Sequence, residues 1–536
     1  MASTKENIES RHGLHTQLSD DVVDQSAKSI DRLETAQAPA SAFDALNDLS
    51  GSRKLALLAV LCFALFLDTF NNSSLFAAIP PIALQLNIPT SQSAWLLSAY
   101  QLTFAALLLV SGRLSDLYNP KWVFVTGAVM MGIFALIAGF MRSKILLILF
   151  RAFMGAGGAL TMPSALHLIV HMYPNPAEQA KAVAAFGGMG AIGIVVGLII
   201  GALFVSYASW PWVFYFSAIV STVITALIVS LVPNISHSGP SESRSARLLR
   251  FRRLDLVGVS AFTVALILFI FAVTSGSIDG WGSAAVIAPL VISAFLLLAF
   301  FLWEARLPES HAALPPKMWR YENFTILVAI SLVPFMWWGS VFLLFSWLWE
   351  PVYGWSAIDT AVHFLPIGLG IFPVLPLSAG LQSKLPLKWV ILLGHLLLLA
   401  GTLLLPFANS KERYWPFVLP GFLLGTAGAA LIYTTTNIAL LAITPPEVSG
   451  IVSAVFTCVL QTGAALGVAI VTSIQTSVQI SHGGPDGFQG RAAGLWFLVA
   501  FIATMTILFT VFMKNTVGPV DPNAPQNPKE TPEKES

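Results

Sequence analysis

Fourteen apolar runs, each close to twenty residues long, follow one another between residues 55 and 513, and they limit what this chain can fold into more than any other feature. About twenty predominantly apolar residues in a helix are what it takes to cross the hydrocarbon core of a bilayer. The runs fall at 55–80, 94–111, 122–141, 144–169, 183–206, 212–233, 255–274, 284–304, 324–348, 356–380, 388–407, 415–443, 450–475 and 493–513, with the boundaries around Pro334 and Pro366 the loosest. Composition agrees: 56% of the 536 residues are hydrophobic and 10% charged, where soluble domains carry about 25% charged residues. A mean hydropathy of +0.76 is more apolar surface than a water-soluble protein of this size can bury. The net charge of +1 excludes the basic face that nucleic-acid binding needs. Cys62 and Cys458 both lie in apolar runs and read as small core residues, not as a disulfide or a metal site.

The charges between the runs set the orientation. With the N terminus inside, sixteen Lys and Arg fall in inward loops and flanks, from Arg53 and Lys54 to Lys388 and Lys514. Only five fall outward: Arg142, Lys144, Lys411, Arg413 and Arg491. Cytoplasmic loops are the ones enriched in Lys and Arg, so an even number of spans with both termini cytosolic is expected. Residues 1–50 are acidic and polar with no signal-peptide core, and residues 516–536 are rich in Pro, Glu and Lys; both read as disordered cytosolic tails. Residues 234–254 form a basic cytosolic loop whose RSARLLRFRR stretch either lies on the inner leaflet or serves only as a topology signal.

A short repeat divides the spans into two sets. Gly112, Ser115, Leu117, Lys121, Trp122 and Val123 align with Gly380, Ser383, Leu385, Lys388, Trp389 and Val390. Each segment links the second and third spans of a six-span block once spans seven and eight are set aside. The expected fold is therefore all-α and integral to the membrane. It comprises a six-helix bundle at 51–233, two additional central transmembrane helices at 255–306, and a pseudo-symmetric six-helix bundle at 307–515. Duplicated halves with a binding site between them are a common transporter plan.

Two charges interrupt the apolar runs, Asp68 in the first and Arg151 in the fourth. A charge at membrane depth costs a few kcal/mol and is seldom kept without a partner or a task. A carboxyl at Asp68 can load and release a proton, in competition with a cationic solute or with Arg151, which makes the two a minimal coupling device. The plainer alternative is a buried salt bridge fastening helices one and four, although buried pairs stabilise poorly by themselves. Gly193, Gly197 and Gly201 recur every four residues on one helix face and allow close backbone approach, either as a static seam or as a seam about which the halves rock. Asp116, with Gly112, Arg113 and Lys121, forms a conformational latch or an ordinary loop cluster at the inner end of the second span. Asn71, Asn72, Gln101, Tyr433, Asn437 and Gln461 are the candidate lining of a substrate cavity, and Trp337, Trp338, Phe345, Trp347 and Trp349 crowd the ninth span, where membrane-interface aromatics are also common.

At this point the chain resembles the major facilitator superfamily, in particular its fourteen-span drug:proton antiporter branch. LDTFNNSSLFAAIPP from Leu67 is similar to that branch's first-helix signature, with Asp68 at the acidic position. GRLSDLYNPK from Gly112 is similar to the loop between spans two and three, with Leu117, Asn119 and Pro120 replacing a basic residue, a glycine and a second basic residue. RAFMGAGGALTMP from Arg151 resembles the fourth-helix motif through Arg151, Gly155, Gly157 and Pro163. GAIGIVVGLIIGA from Gly190 resembles the antiporter motif, with Leu198 where a proline is usual and Ala202 in place of a glycine. SWPWVF from Ser209 and PEVSG…QTGAALG from Pro446 also look like branch features, and the polar tails resemble fungal members of the aminotriazole-resistance type.

The resemblance implies proton-coupled export of small organic or toxic compounds by alternating access. Proton-coupled uptake or vacuolar loading of a small nutrient (a basic amino acid, ammonium or a borate-like solute) and a non-transporting sensor on the same fold are the alternatives. No phosphate-binding loop or nucleophile motif is present, so no enzyme activity and no cofactor is expected, and energy would come from a proton gradient. The expected partners are a small-molecule substrate, protons and the lipid bilayer. A monomer is expected in the plasma membrane, with the vacuolar membrane as the alternative.

Overall fold

The computed structural model of the chain describes residues 49–233, 255–307, 316–445, 449–484 and 486–514, together with Leu46. The expected tails at 1–50 and 516–536 and the basic loop at 234–254 lie outside the described residues, apart from Leu46, Leu49 and Ser50. Among the described residues there is no strand. The first set of long helices is α1 (Gly51–Gln85), α2 (Trp95–Leu117), α3 (Pro120–Phe140), α4 (Lys144–Met172), α5 (Pro176–Tyr207) and α6 (Pro211–Leu231). Then come α7 (Leu256–Asp279) and α8 (Ala284–Glu304). The last set is α9 (Phe324–Trp349), α10 (Ala357–Gln382), α11 (Leu387–Leu404), α12 (Val418–Ala442), α13 (Ser449–Ser481) and α14 (Gln489–Phe512).

Twelve of the described helices are long and apolar enough to cross a bilayer, while α2 and α7 carry shorter apolar stretches at Trp95–Leu108 and Val257–Val273. Outward-turned side chains such as Leu84, Phe140, Ile145 and Val511 are 63–70% exposed, which only a surrounding of lipid tails makes favourable. This is a multi-pass membrane protein.

Local sequence fixes where helices start and break. Asn119 accepts a hydrogen bond from the Lys121 backbone N–H at 3.0 Å, and Pro120 follows at the first helical position, so together they start α3. Ser356 and Asp359 form a reciprocal capping box at the start of α10. The helix of α9 is interrupted at Ser331, because Pro334 lacks an N–H and its ring crowds the carbonyl of Ile330.

Helices α1–α6 pack on one another, as do α9–α14. The repeat in the sequence has a structural counterpart. Lys121, at the start of the third helix of the first set, donates to the Val229 and Val232 carbonyls at the end of the sixth, at 3.1 and 2.6 Å. Lys388, at the start of the third helix of the second set, donates to the Met513 carbonyl at the end of its sixth. Arg53 Nε donates to the Leu231 carbonyl at 2.9 Å, and Asn323 and Lys514 exchange bonds of 3.1 and 2.8 Å, so the first helix of each set also holds the end of the sixth. Asn323 manages this at φ 66°, a left-handed conformation that Asn tolerates. A cation at a helix C terminus also meets the negative end of the dipole.

The two extra helices are central in chain order and peripheral in space. Helix α7 lies over the line where α2 meets α13, with Leu266 and Ile270 packed against Leu102, Ala465 and Ala469. Helix α8 packs on α7 through the Ser293 hydroxyl to the Ala265 carbonyl (2.8 Å) and otherwise faces outward.

Between the sets, contact is concentrated at the end away from Gly51. There the Phe76 and Phe342 rings stack at 4.6 Å, Trp347 Nε1 donates to Ser93 Oγ at 3.1 Å, and Ala77, Ala202, Ala357 and Ala361 cluster. Toward the Gly51 end, Gly187 and Gly188 of α5 and Gly380 of α10 have no atom within 4 Å of where a Cβ would stand. Phe372 and Leu377 of α10 are exposed there too. The halves are shut at the far end and stand apart at the end where the chain begins.

Candidate functional site

Three glycines of the GAGG segment bring α4 against its neighbours and define the site. A Cβ on Gly155 would strike the Tyr100 backbone of α2, and one on Gly157 would lie 2.7 Å from the Gly127 carbonyl of α3. One on Gly158 would lie 2.7 Å from the Tyr100 hydroxyl and 2.9 Å from Asp68 Oδ1. Without side chains at these positions, α4 closes over a polar cluster inside the first half.

Asp68 and Arg151 are both buried there, at 5% and 0% exposure, and they do not form an ion pair. Tyr100 stands between them. Its hydroxyl donates a hydrogen bond to Asp68 Oδ1, and the Arg151 guanidinium lies 4.6 Å from the centre of its ring. A guanidinium over an aromatic face is attracted by the ring quadrupole, the more so when desolvated. Arg151 also donates from Nε to the Leu96 carbonyl (2.9 Å) and from Nη1 to the Asn71 carbonyl (3.3 Å), while Nη2 has no hydrogen-bond partner. The salt-bridge alternative is therefore corrected. Arg151 fastens α4 to backbone groups of α1 and α2, and the carboxyl of Asp68 is held by a neutral donor. A lone buried carboxylate bonded to a hydroxyl is chemically able to take up and return a proton without breaking an ion pair.

The other sequence candidates separate into groups. Asn71 is taken up inside the first half: its Oδ1 accepts from Ser217 Oγ at 2.6 Å and its Nδ2 reaches Met131 Sδ at 3.5 Å, so it is corrected from cavity lining to a link between α1, α3 and α6. Asn72 donates to the Asp68 carbonyl at 3.2 Å and leaves its Oδ1 unpaired. Gln101, beside Tyr100, leaves its buried Oε1 unpaired. In the second half, Tyr433 lies 6.0 Å from the Phe335 ring and 5.5 Å from Phe456. Asn437 carries an unpaired Oδ1, and Gln461 is buried on α13. No hydrogen bond joins these second-half residues to Asn72 or Gln101.

For the glycine seam, the alternative of a line about which the halves rock is corrected. Gly193, Gly197 and Gly201 of α5 face Thr69, Ser73 and Ser74 of α1, with a Gly201 Cβ placed 2.5 Å from the Ser74 carbonyl. Both helices belong to the first half, so the seam is not the line between the halves. Of the latch residues, Gly112 has open space beside it and the side chains of Arg113 and Asp116 lie outside the described residues. Lys121 is the end-of-helix donor described above. The aromatic crowd of α9 is core: Trp337, Phe345 and Trp349 are at most 1% exposed.

Sequence reasoning missed Tyr100, a phenol in an apolar span beside Gln101, although a hydroxyl one helix away from a lone carboxylate was a usable signal. Thr434 and Thr435 stand out in the sequence as polar groups at membrane depth, but Ser378 and Gln382 of α10, which join them, were missed. Gln382 Nε2 donates to Ser378 Oγ (2.7 Å) and Thr435 Oγ1 (2.9 Å), and Ser378 contacts Thr434 at 2.8 Å.

The family model described as Major Facilitator Superfamily matches residues 61–468. The chain belongs to the major facilitator superfamily. It is 28% identical to a puromycin resistance protein of Streptomyces alboniger, over 77% of this chain and 80% of that one. It is 28% identical to a major facilitator superfamily multidrug transporter of Aspergillus fumigatus, over 65% of this chain and 64% of the other. It is 25% identical to a low affinity ammonium transporter of Saccharomyces cerevisiae, over 86% of this chain and 89% of the other. Among solved structures, a POT family transporter in complex with a thioalcohol-conjugated peptide superposes with a TM-score of 0.62 at 16% identity, covering 85% of this chain and 95% of that one. The superfamily membership makes this chain a membrane transporter and not an enzyme.

Proposed function

We propose that the protein exports small organic or toxic compounds in exchange for protons by alternating access, with Asp68 as the proton-carrying group. The observation that carries this reading is the Asp68–Tyr100–Arg151 cluster, where a buried carboxyl is held by a hydroxyl while the nearest cation is engaged with backbone carbonyls. Protonation alters the Asp68–Tyr100 bond, and Tyr100 in turn carries Arg151 on its ring face. Proton uptake thus acts on the packing of α1, α2 and α4 together. The unpaired amide oxygens of Asn72, Gln101 and Asn437, with the Phe335, Trp338 and Tyr433 rings, are the groups that would meet an uncharged or weakly basic solute between the halves. Relatives named for drug resistance and multidrug transport support export.

In this reading all fourteen helices span the membrane, both termini are cytosolic, and the halves stand apart toward the cytosol. The bundles at 51–233 and 307–515 then move as two units, joined by the helices at 255–306. The protein works as a monomer in the plasma membrane, or alternatively in the vacuolar membrane. The proton gradient is its energy source, and no cofactor takes part. A second reading, proton-coupled movement of ammonium or another small nutrient, is favoured by the similarity to the yeast ammonium transporter over most of both chains.

The test is transport into proteoliposomes of the purified protein, with a panel of apolar amines, neutral drugs and ammonium under an imposed pH gradient. Export coupling is supported if an organic solute moves opposite to the protons. It is overturned if solutes move with the protons or only ammonium moves.

A further inference from the structure

Just outside the Phe76–Phe342 stack, at the end where the halves are shut, lies a cavity of about 420 Å³ between the two halves. Pro80, Pro81 and Leu84 at the end of α1 and Val205 near the end of α5 form one wall, and Ala357 of α10 lies opposite. Glu350, the residue directly after α9, is the one charged side chain among its lining residues. The main chain holds Glu350 rigidly: its N–H donates to the Ser346 carbonyl at 3.2 Å, and its carbonyl accepts from the Gly354 N–H at 3.1 Å.

Among the described residues nothing answers this carboxyl. Its Oε1 is sequestered from solvent without a hydrogen-bond partner, and it has no ion pair. The nearby charges are spent elsewhere. Lys411 lies over the Tyr353 ring at 5.8 Å, Arg491 donates to the Trp347 and Gly487 carbonyls, and Asp359 caps its own helix. His363 stacks on Trp355 and holds the Asp359 carbonyl. Burial alone pushes the Glu350 carboxyl well above the usual carboxylate range. An isolated buried carboxylate is costly, and an opposite charge placed beside it removes most of that cost. Largely apolar walls around one unanswered carboxyl match a ligand with an apolar body and a single positive charge, whose approach favours the ionised form.

We propose that this vestibule is a binding site for small apolar organic cations, ammonium compounds with a hydrocarbon body, with Glu350 as the counter-charge. The site is distinct from the Asp68 cluster, which lies inside the first half, and it does not depend on the direction or coupling of transport.

The test uses the full-length protein in detergent and mildly alkaline buffer, titrated with benzyltrimethylammonium and with its uncharged isostere neopentylbenzene. Binding is followed calorimetrically for wild type, Glu350→Gln and Ser206→Leu. Glu350→Gln should weaken binding of the cation about tenfold or more, the equivalent of at least about 1.4 kcal/mol, and leave the isostere unchanged. Ser206→Leu fills the cavity from an exposed position of its lining, keeps the carboxyl, and should weaken both ligands. Thermal melting of each variant separates loss of the site from loss of the fold. Equal binding of the cation by wild type and Glu350→Gln overturns the proposal and leaves Glu350 as a protonated structural acid. An equal loss for cation and isostere overturns the assignment of charge recognition.

Discussion

Gly158→Ala tests whether the fourth-helix glycines exist to let Tyr100 and Asp68 meet. The added Cβ would stand 2.7 Å from the Tyr100 hydroxyl and 2.9 Å from Asp68 Oδ1, which is 0.7 and 0.5 Å inside the 3.4 Å edge of ordinary contact. Relief requires one of those oxygens to move, and moving either one breaks their hydrogen bond. Overpacking of this kind costs about 1–3 kcal/mol. Loss of a buried hydrogen bond costs about 1–3 kcal/mol more. Alanine returns about 1 kcal/mol of helix propensity, so a net destabilisation of about 1–5 kcal/mol is expected. In detergent this should lower the thermal midpoint by about 1–5 °C.

The decisive comparison is a double-mutant cycle. Tyr100→Phe removes the hydroxyl that the new Cβ strikes, so Gly158→Ala with Tyr100→Phe should melt no lower than the worse single variant. Independent sites instead add within about 0.5 kcal/mol. A melting loss equal to the sum of the two single losses would refute the reasoning, because the glycine and the phenol would then act separately. Gly188→Ala, whose Cβ meets nothing within 4 Å, is the control and should melt at or above wild type.

Three further outcomes follow from the packing. Lys121→Met and Lys388→Met should each destabilise by about 1–3 kcal/mol through loss of charge-assisted bonds to helix-end carbonyls, and similar shifts in melting would reflect the internal two-fold plan. A short bis-methanethiosulfonate cross-link, joined by disulfides to cysteines placed at Phe76 and Phe342, which stack at 4.6 Å, should stop turnover in proteoliposomes and be reversed on reduction; undiminished transport in the linked protein would mean that this end need not open. Gly197→Leu should abolish folded expression, since even a Cβ there strikes Ser73 of α1, whereas near-normal yield in a size-exclusion assay would deny a close α1–α5 seam.

The helices were legible because a bilayer asks for one thing above all, about twenty apolar residues in succession. Lys121 and Lys388 were legible as a repeat, and the structure gives the repeat a physical content in the carbonyls they hold. What periodicity cannot carry is the identity of a neighbour. Gly193, Gly197 and Gly201 announced a close approach without saying that α1, in the same half, makes it. Asp68 and Arg151 stood out as charges in apolar runs, yet the ring that separates them lies 32 residues from Asp68 in sequence, in a helix where one phenol draws no notice. Asn119 and Pro120 departed from the family pattern for a local reason, since they start α3. Glu350 was hidden by its position at the end of an aromatic run, where a charge looks like an ordinary helix end until residues of both halves are seen to line the cavity around it.

The most direct test of the central claim is proton-driven accumulation in proteoliposomes by wild type and Asp68→Asn, measured together with solute exchange in the absence of a gradient. Asparagine keeps the size of the side chain and an acceptor for the Tyr100 hydroxyl but cannot carry the proton. The account expects the variant to lose accumulation against a concentration gradient while retaining exchange. Accumulation at the wild-type level in Asp68→Asn would contradict it and make the carboxyl a structural anchor.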